Sequence, residues 1–103
     1  MRLIIATAPG AAAPKLARKL VEEHLAACVN IVPQVRSIYY WEGKIEDEEE
    51  ALMLIKTTSE KVDSLTTRLK EMHPYDVPEI ISLEIQKNEG NSDYLGWVGD
   101  VVG

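Results

Sequence analysis

Two adjoining β-prone segments in the middle of the chain set the limits on what it can fold into. The first runs from Cys28 to Ile45 and the second from Ala51 to Ile55, with the polar stretch Glu46–Glu50 between them. The long arms exceed the usual strand length of about 5–6 residues. We predict a long β-hairpin with the acidic stretch as its tip in water. Pro33 indicates a bend or bulge, because proline cannot donate to a strand ladder.

The flanking segments alternate between helix and strand patterns. Leu3–Ala6 is an apolar run, which is typical of a buried strand. Leucines at helical spacing predict a first helix over 12–26, and a second helix runs from an N-cap at Ser59 to His73, where Pro74 ends it. Alternation predicts a half-buried strand over 81–85, and Asn91 or Ser92 caps a short last helix.

The order of these elements predicts an α+β fold. It reads β-α-β-β-α-β, which is the ferredoxin-like split βαβ sandwich, followed by a C-terminal helix. All 103 residues fit one domain, 1–103, and 46% of them are hydrophobic, as a packed core requires. Long strands leave sheet edges exposed, so we expect an oligomer.

Charge and targeting patterns exclude several classes of partner. The net charge is −6 and no basic stripe is present, so we expect no nucleic acid as a partner. The N-terminal apolar run is too short for a secretory signal or a membrane span, so we expect no membrane partner. A single cysteine, Cys28, fits a reducing compartment, and we expect a cytoplasmic protein.

Six short segments, spread over nearly the whole chain, resemble the CutA divalent-cation-tolerance family. They are Thr7-Ala8-Pro9, Leu25-Ala26-Ala27-Cys28-Val29-Asn30, Ser37-Ile38-Tyr39-Tyr40-Trp41-Glu42-Gly43-Lys44, Leu54-Ile55-Lys56-Thr57, His73-Pro74-Tyr75-Asp76-Val77-Pro78-Glu79 and Asp93-Tyr94-Leu95 with Trp97. Their order and spacing match as well, which makes the resemblance specific.

The resemblance implies a ferredoxin-like homotrimer, similar in architecture to the PII signalling proteins, and a link to tolerance of divalent metals, copper above all. The copper ligands of the family are a cysteine in the first strand and two adjacent histidines before a Pro-Tyr pair. The matching positions here are Ala6, Met72 and His73, so only one ligand is kept. We therefore expect weak binding of copper or another divalent cation, and no obligatory cofactor.

His73 is the main metal-ligand candidate, because imidazole suits divalent copper. The alternative is a helix-end histidine favoured by the helix dipole. His24 and Cys28, four residues apart, form a weaker candidate pair, and Cys28 is expected past the helix end. The Glu46–Glu50 stretch offers carboxylates but no calcium-loop spacing, which favours a solvated hairpin tip.

Aromatic residues mark a second candidate region. Tyr39, Tyr40 and Trp41, followed by Glu42, are too many large side chains for one strand of a small monomer to bury. They predict a subunit interface or a ligand cleft shared between subunits. Residues near two proline breaks, namely Tyr75, Asp76 and Glu79, are placed at the same cleft or in a rigid loop.

The sequence indicates no enzyme. It contains no glycine-rich phosphate loop, no zinc-protease motif and no catalytic triad pattern. Three functions stay open: a trimeric metal-responsive protein, a PII-like module that binds a small metabolite or nucleotide between subunits, and a scaffold without a ligand. An unidentified protein partner is compatible with each of them.

Overall fold

A four-stranded antiparallel sheet forms the body of the computed structural model, which describes residues 1–103. The strand order β2-β3-β1-β4 is that of a split βαβ fold, which confirms the predicted α+β class. The elements are β1 (Arg2–Ala8), α1 (Ala13–Glu22), β2 (Cys28–Trp41), β3 (Lys44–Thr57), α2 (Val62–Met72), β4 (Ile80–Glu84) and α3 (Ser92–Val102), with a short 3-10 turn (Ser59–Lys61) before α2.

The two strands of the hairpin, β2 and β3, have 14 residues each, so the first is shorter than its predicted arm to Ile45 and the second is longer than its predicted arm from Ala51 to Ile55. Its turn lies at Glu42 and Gly43, whose φ angles of 50° and 78° fit a two-residue turn that matches the strand twist. The predicted tip at Glu46–Glu50 is therefore wrong, because these residues pair with β2 inside the ladder. The predicted irregularity at Pro33 is confirmed as a register shift between Val32 and Val35.

One face of the sheet carries the core. Residues that alternate along β1 and β3 pack against α1 and α2, and proline at the first turn of α1 fits its start. The fully or almost fully buried members of this core are Ile4, Ala6, Ala8, Ala13, Leu16, Leu20, Ala26, Ala51, Met53, Ile55, Leu65 and Leu69.

The opposite face of the sheet is apolar but only partly covered. Ala27 packs there against Val98 and Val102 of α3. On β4, Ile81 and Leu83 are 51% and 46% exposed, and Ile80 instead packs on the core. We call this surface the open face; its apolar residues are Leu3, Ile5, Leu52, Leu54, Ile81 and Leu83.

Several predicted helix ends differ from the structure. The first helix ends at Glu22 rather than Ala26, because His24 takes a left-handed φ of 57°. Ser59 makes no capping bond and lies in the 3-10 turn, so its predicted N-cap role is wrong. At α3 the Asn91 side chain accepts a bond from the Asp93 N–H at 3.0 Å, which confirms Asn91 as the cap.

Candidate functional site

A cleft of about 510 Å³ lies where the half of the hairpin nearest its turn meets the end of β1 and the loop after α2. Three chain segments that are far apart in sequence meet there, so the fold rather than any local motif builds the cleft. Its lining residues are Thr7, Arg36, Ser37, Ile38, Tyr39, Trp41, Glu50, Tyr75, Val77 and Glu79.

His73 anchors the loop that forms one wall of the cleft. Its side chain is buried, with 8% exposed, and its Nε2–H donates to the Thr7 carbonyl at 2.8 Å. The Tyr75 backbone N–H donates to Nδ1 at 3.1 Å, which assigns the neutral tautomer with the proton on Nε2. Both ring nitrogens are thus in use, and the ring lies 4.7 Å from that of Tyr75.

Tyr75 and Glu50 form the polar floor of the cleft. The Tyr75 hydroxyl donates to Glu50 Oε1 at 2.9 Å, and Glu50 is only 7% exposed. Partial burial and this bond raise the pKa of Tyr75 to about 12, so the phenol stays a neutral donor. No donor of the chain reaches the second oxygen of Glu50.

The hairpin wall of the cleft carries two further polar pairs. The Tyr39 hydroxyl donates to Glu48 at 3.0 Å, and this bond raises the pKa of Tyr39. Arg36 holds Asp47 with two bonds of 2.8 and 2.6 Å, and the guanidinium lowers the pKa of that carboxyl. Arg36 is the only cationic residue of the lining, and its charge is already matched.

These residues do not fit a tight metal site. His73 has no free nitrogen, Ala6 has no donor atom, and Met72 packs against the core. Nowhere do three histidine, cysteine, aspartate or glutamate side chains converge on one point that could hold an ion. Tight sites need several ligands at fixed geometry, so any metal bound by His73 alone is bound weakly.

The other candidate ligands do not form a site either. His24 Nδ1 lies 3.1 Å from the Val101 carbonyl of α3, whereas Cys28 begins β2, past the helix end as predicted. The Glu46–Glu50 stretch alternates between the two faces of β3, so its five carboxylates do not converge.

Four of the seven predicted cleft or interface residues line this cleft: Tyr39, Trp41, Tyr75 and Glu79. Asp76 is not part of the lining. Tyr40 points to the other face of the hairpin and is 74% exposed, and Glu42 lies in the turn. Sequence reasoning missed Glu50, because it was assigned to a solvated tip. The glycine after Glu42 signalled the true turn, and that register would have placed Glu50 inside the sheet.

Tyr75→Phe is expected to lower the free energy of unfolding by about 1–3 kcal/mol, because it leaves a buried Glu50 oxygen without a donor. Because the folded pKa of Tyr75 lies above the ordinary value of about 10, its contribution is present below pH 10 and is lost toward pH 12. Urea unfolding at pH 8 and pH 11 checks both points. A variant as stable as wild type at pH 8 would contradict this account.

The three α-helices of the chain are at most 11 residues long. None of them combines the length and the apolar character that crossing a bilayer requires.

Comparisons with known proteins place the chain among relatives of one kind. The family model described as CutA1 divalent ion tolerance protein matches residues 2–101. The divalent-cation tolerance protein CutA of Thermus thermophilus is 50% identical over 85% of this chain and 84% of its own length. The CutA homolog of Xenopus laevis is 54% identical over 87% of the chain but only 58% of its own length. The chain thus spans about half the length of the vertebrate relatives.

Solved structures agree with this fold. The PII-like protein CutA from Nostoc, in apo form, has a TM-score of 0.94 at 33% identity and covers 100% of this chain and 98% of its own. The Thermus thermophilus divalent cation tolerance protein has a TM-score of 0.93 at 46% identity, with both chains fully covered. The family model and these relatives together show that the chain belongs to the CutA divalent-cation tolerance family.

Proposed function

We propose that the chain forms a cytoplasmic homotrimer that acts in tolerance of divalent metal ions, with the cleft as its ligand site at a subunit boundary. The observation that carries the proposal is the pairing of an uncovered apolar sheet face with a preformed polar cleft beside it. Large exposed apolar surfaces are typical of interaction sites. No catalytic reaction is proposed.

Trimer formation is supported by the open face and by the hairpin. Ile38, Tyr40 and Ile45 are the most exposed large apolar residues of the hairpin, and Trp41 is half-exposed at the cleft. A hairpin that projects from the sheet can reach a neighbouring copy, and a subunit there would cover these side chains. The cleft would then be completed by a second chain.

Trp41→Ala is expected to weaken the trimer by about 2 kcal/mol or more, as the loss of a buried aromatic anchor does. Light scattering over a dilution series would show smaller species at concentrations where wild type stays intact. Trp41→Phe keeps an aromatic ring and serves as the control. A Trp41→Ala protein with unchanged mass and melting would remove Trp41 from the interface.

Copper binding by His73 is expected to be micromolar or weaker. A metal must take a nitrogen that now bonds to Thr7 or Tyr75, and losing a hydrogen bond costs about 0.5–1.5 kcal/mol. Calorimetry with divalent copper compares wild type with His73→Ala, and His24→Ala is the matched histidine control. Equal heats from wild type and His73→Ala would exclude His73 as the ligand.

The second candidate is a PII-like module that binds a small metabolite or nucleotide in the same cleft. The preformed cleft favours it, and the neighbouring Nostoc structure is described as PII-like. A thermal-shift screen with divalent metals and nucleotides separates the two functions, since a ligand that binds only the folded protein raises its melting temperature.

The cytoplasmic location is part of the proposal. The similar structure from Archaeoglobus fulgidus is described as a periplasmic divalent cation tolerance protein, and a relative from Oryza sativa is named chloroplastic, so the locations given for relatives differ. Fractionation of cells that express the full chain tests the location directly.

A further inference from the structure

We propose that the cleft takes a small primary ammonium ion, whose N–H groups donate to the free oxygen of Glu50 while its carbon chain lies among the rings of Tyr39, Trp41 and Tyr75. This inference rests on the proposed function, since it names the class of ligand for the proposed site.

Glu50 is a buried carboxylate whose charge is little compensated within the chain. Only 7% of Glu50 is exposed. Its carboxylate accepts one hydrogen bond, from the Tyr75 hydroxyl, and no cationic side chain of the protein pairs with it. Buried carboxylates are normally paired and hydrogen-bonded, because removing the charge from water is costly. The second oxygen of Glu50 has no donor within the chain and is not sealed from solvent, so it is free to accept a hydrogen bond from a group that enters the cleft.

The charges around the cleft point to a cation as that donor. Glu50 and Glu79 line it, and Glu48 lies on the same hairpin wall at the Tyr39 hydroxyl. The one basic residue of the lining, Arg36, is held by Asp47. The raised pKa values of both cleft tyrosines, to which nearby glutamates contribute, are a second sign of negative potential there. A nucleotide phosphate would meet this repulsion.

The aromatic rings distinguish an organic ammonium ion from a metal ion. Tyr39, Trp41 and Tyr75 share the lining with Glu50, and aromatic faces attract organic cations. Ring faces are not ligands for a metal ion, the hydroxyls of the two tyrosines already donate to glutamates, and His73 has no free nitrogen to add. The cavity of about 510 Å³ has room for a carbon chain behind the charged group.

The test is an NMR titration of the 103-residue chain with n-butylammonium chloride at constant ionic strength, with 1-butanol as the neutral probe of similar shape. The amides of Trp41 and Tyr75 are followed. We expect a millimolar dissociation constant, as about 5 non-hydrogen atoms permit. We expect roughly tenfold weaker binding of 1-butanol, since a charge-assisted hydrogen bond is lost. Equal binding of the two probes would overturn the proposal.

Variants locate the contact. Glu50→Gln is expected to lose roughly tenfold in affinity, and the exposed Glu79→Gln roughly threefold through its charge alone. Glu79→Gln keeps the test valid if Glu50→Gln fails to fold. Glu71→Gln, on the exposed side of α2, removes the same charge away from the cleft and is expected to bind as wild type. Wild-type affinity in both cleft variants would overturn the proposal.

Two further probes separate this inference from the proposed function. Tetramethylammonium, which has no N–H group, is expected to bind less tightly than n-butylammonium, and equal binding would overturn the bond to Glu50. If ATP shifts the cleft amides and n-butylammonium does not, the ammonium inference is overturned, whereas the proposal that the cleft binds a ligand is retained. If no probe shifts these amides, both the ammonium inference and the proposed ligand cleft are contradicted. That result is expected if a neighbouring subunit fills the cleft.

Discussion

Leu54→Asp is expected to convert the trimer into monomers. Leu54 lies in the middle of the open face, with Ile5 of β1 on one side and Asn30 of β2 on the other. If three copies pack through this face, the substitution buries one unpaired carboxylate per subunit. Each unpaired buried carboxylate costs several kcal/mol, so the subunits are expected to separate. Light scattering coupled to gel filtration would then give a mass near the 11.5 kDa of one chain.

The control for this variant is Thr67→Asp, which adds the same charge on the exposed side of α2. It is expected to keep the wild-type mass. Circular dichroism of both variants checks that helix and strand content is retained, because aspartate at Leu54 does not point into the core. A Leu54→Asp protein that remains trimeric would show that the open face is not the interface.

Met53→Ala is expected to lower the free energy of unfolding by about 2–5 kcal/mol. Met53 is fully buried at the centre of the core, between the sheet and the helices, and its truncation leaves a cavity. That loss is a large fraction of the stability of about 5–15 kcal/mol of a domain this size. Urea unfolding at one fixed protomer concentration measures it, because the stability of an oligomer depends on concentration.

Val77→Ala is the matched control for the core variant. Val77 is largely exposed beside the cleft, so its truncation is expected to change the free energy of unfolding by less than about 0.5 kcal/mol. A Met53→Ala protein as stable as Val77→Ala would contradict the assigned core.

The element order was predictable because hydrophobic period, proline and turn residues act locally. Leu16 and Leu20 lie four positions apart on one face of α1, as a helix that packs on a sheet requires. Pro33 disturbed the ladder as its missing N–H dictates. The family resemblance, carried by short segments around Trp41 and His73, also matched the comparisons.

The hairpin register was the main failure, and its cause is physical. A run of five acidic residues is typical of a solvated tip, but pairing with β2 outweighs that tendency when a Glu-Gly turn closes the hairpin early. Glu50 is then buried, whereas Glu48 on the same face of β3 and Glu49 on the other face stay exposed. The burial of Glu50 depends on Tyr75, which lies 25 positions later in the sequence. No local sequence pattern predicts that contact.

The faces of β4 show the same limit. The alternation over 81–85 correctly predicted a strand, but Ile80 rather than Ile81 packs on the core. Ile81 and Leu83 face the side that a single chain leaves open. An apolar sequence pattern predicts that a face of the strand is buried. It does not predict whether the same chain or another copy covers that face.

The molecular mass of the wild-type protein in solution tests the central claim most directly. Sedimentation equilibrium at micromolar concentration is expected to give a single species near three times the 11.5 kDa chain mass, independent of loading. Such a mass is what three copies with their open faces buried would have. A mass near that of one chain at the same concentration would contradict the trimer, the shared cleft and the function proposed for it.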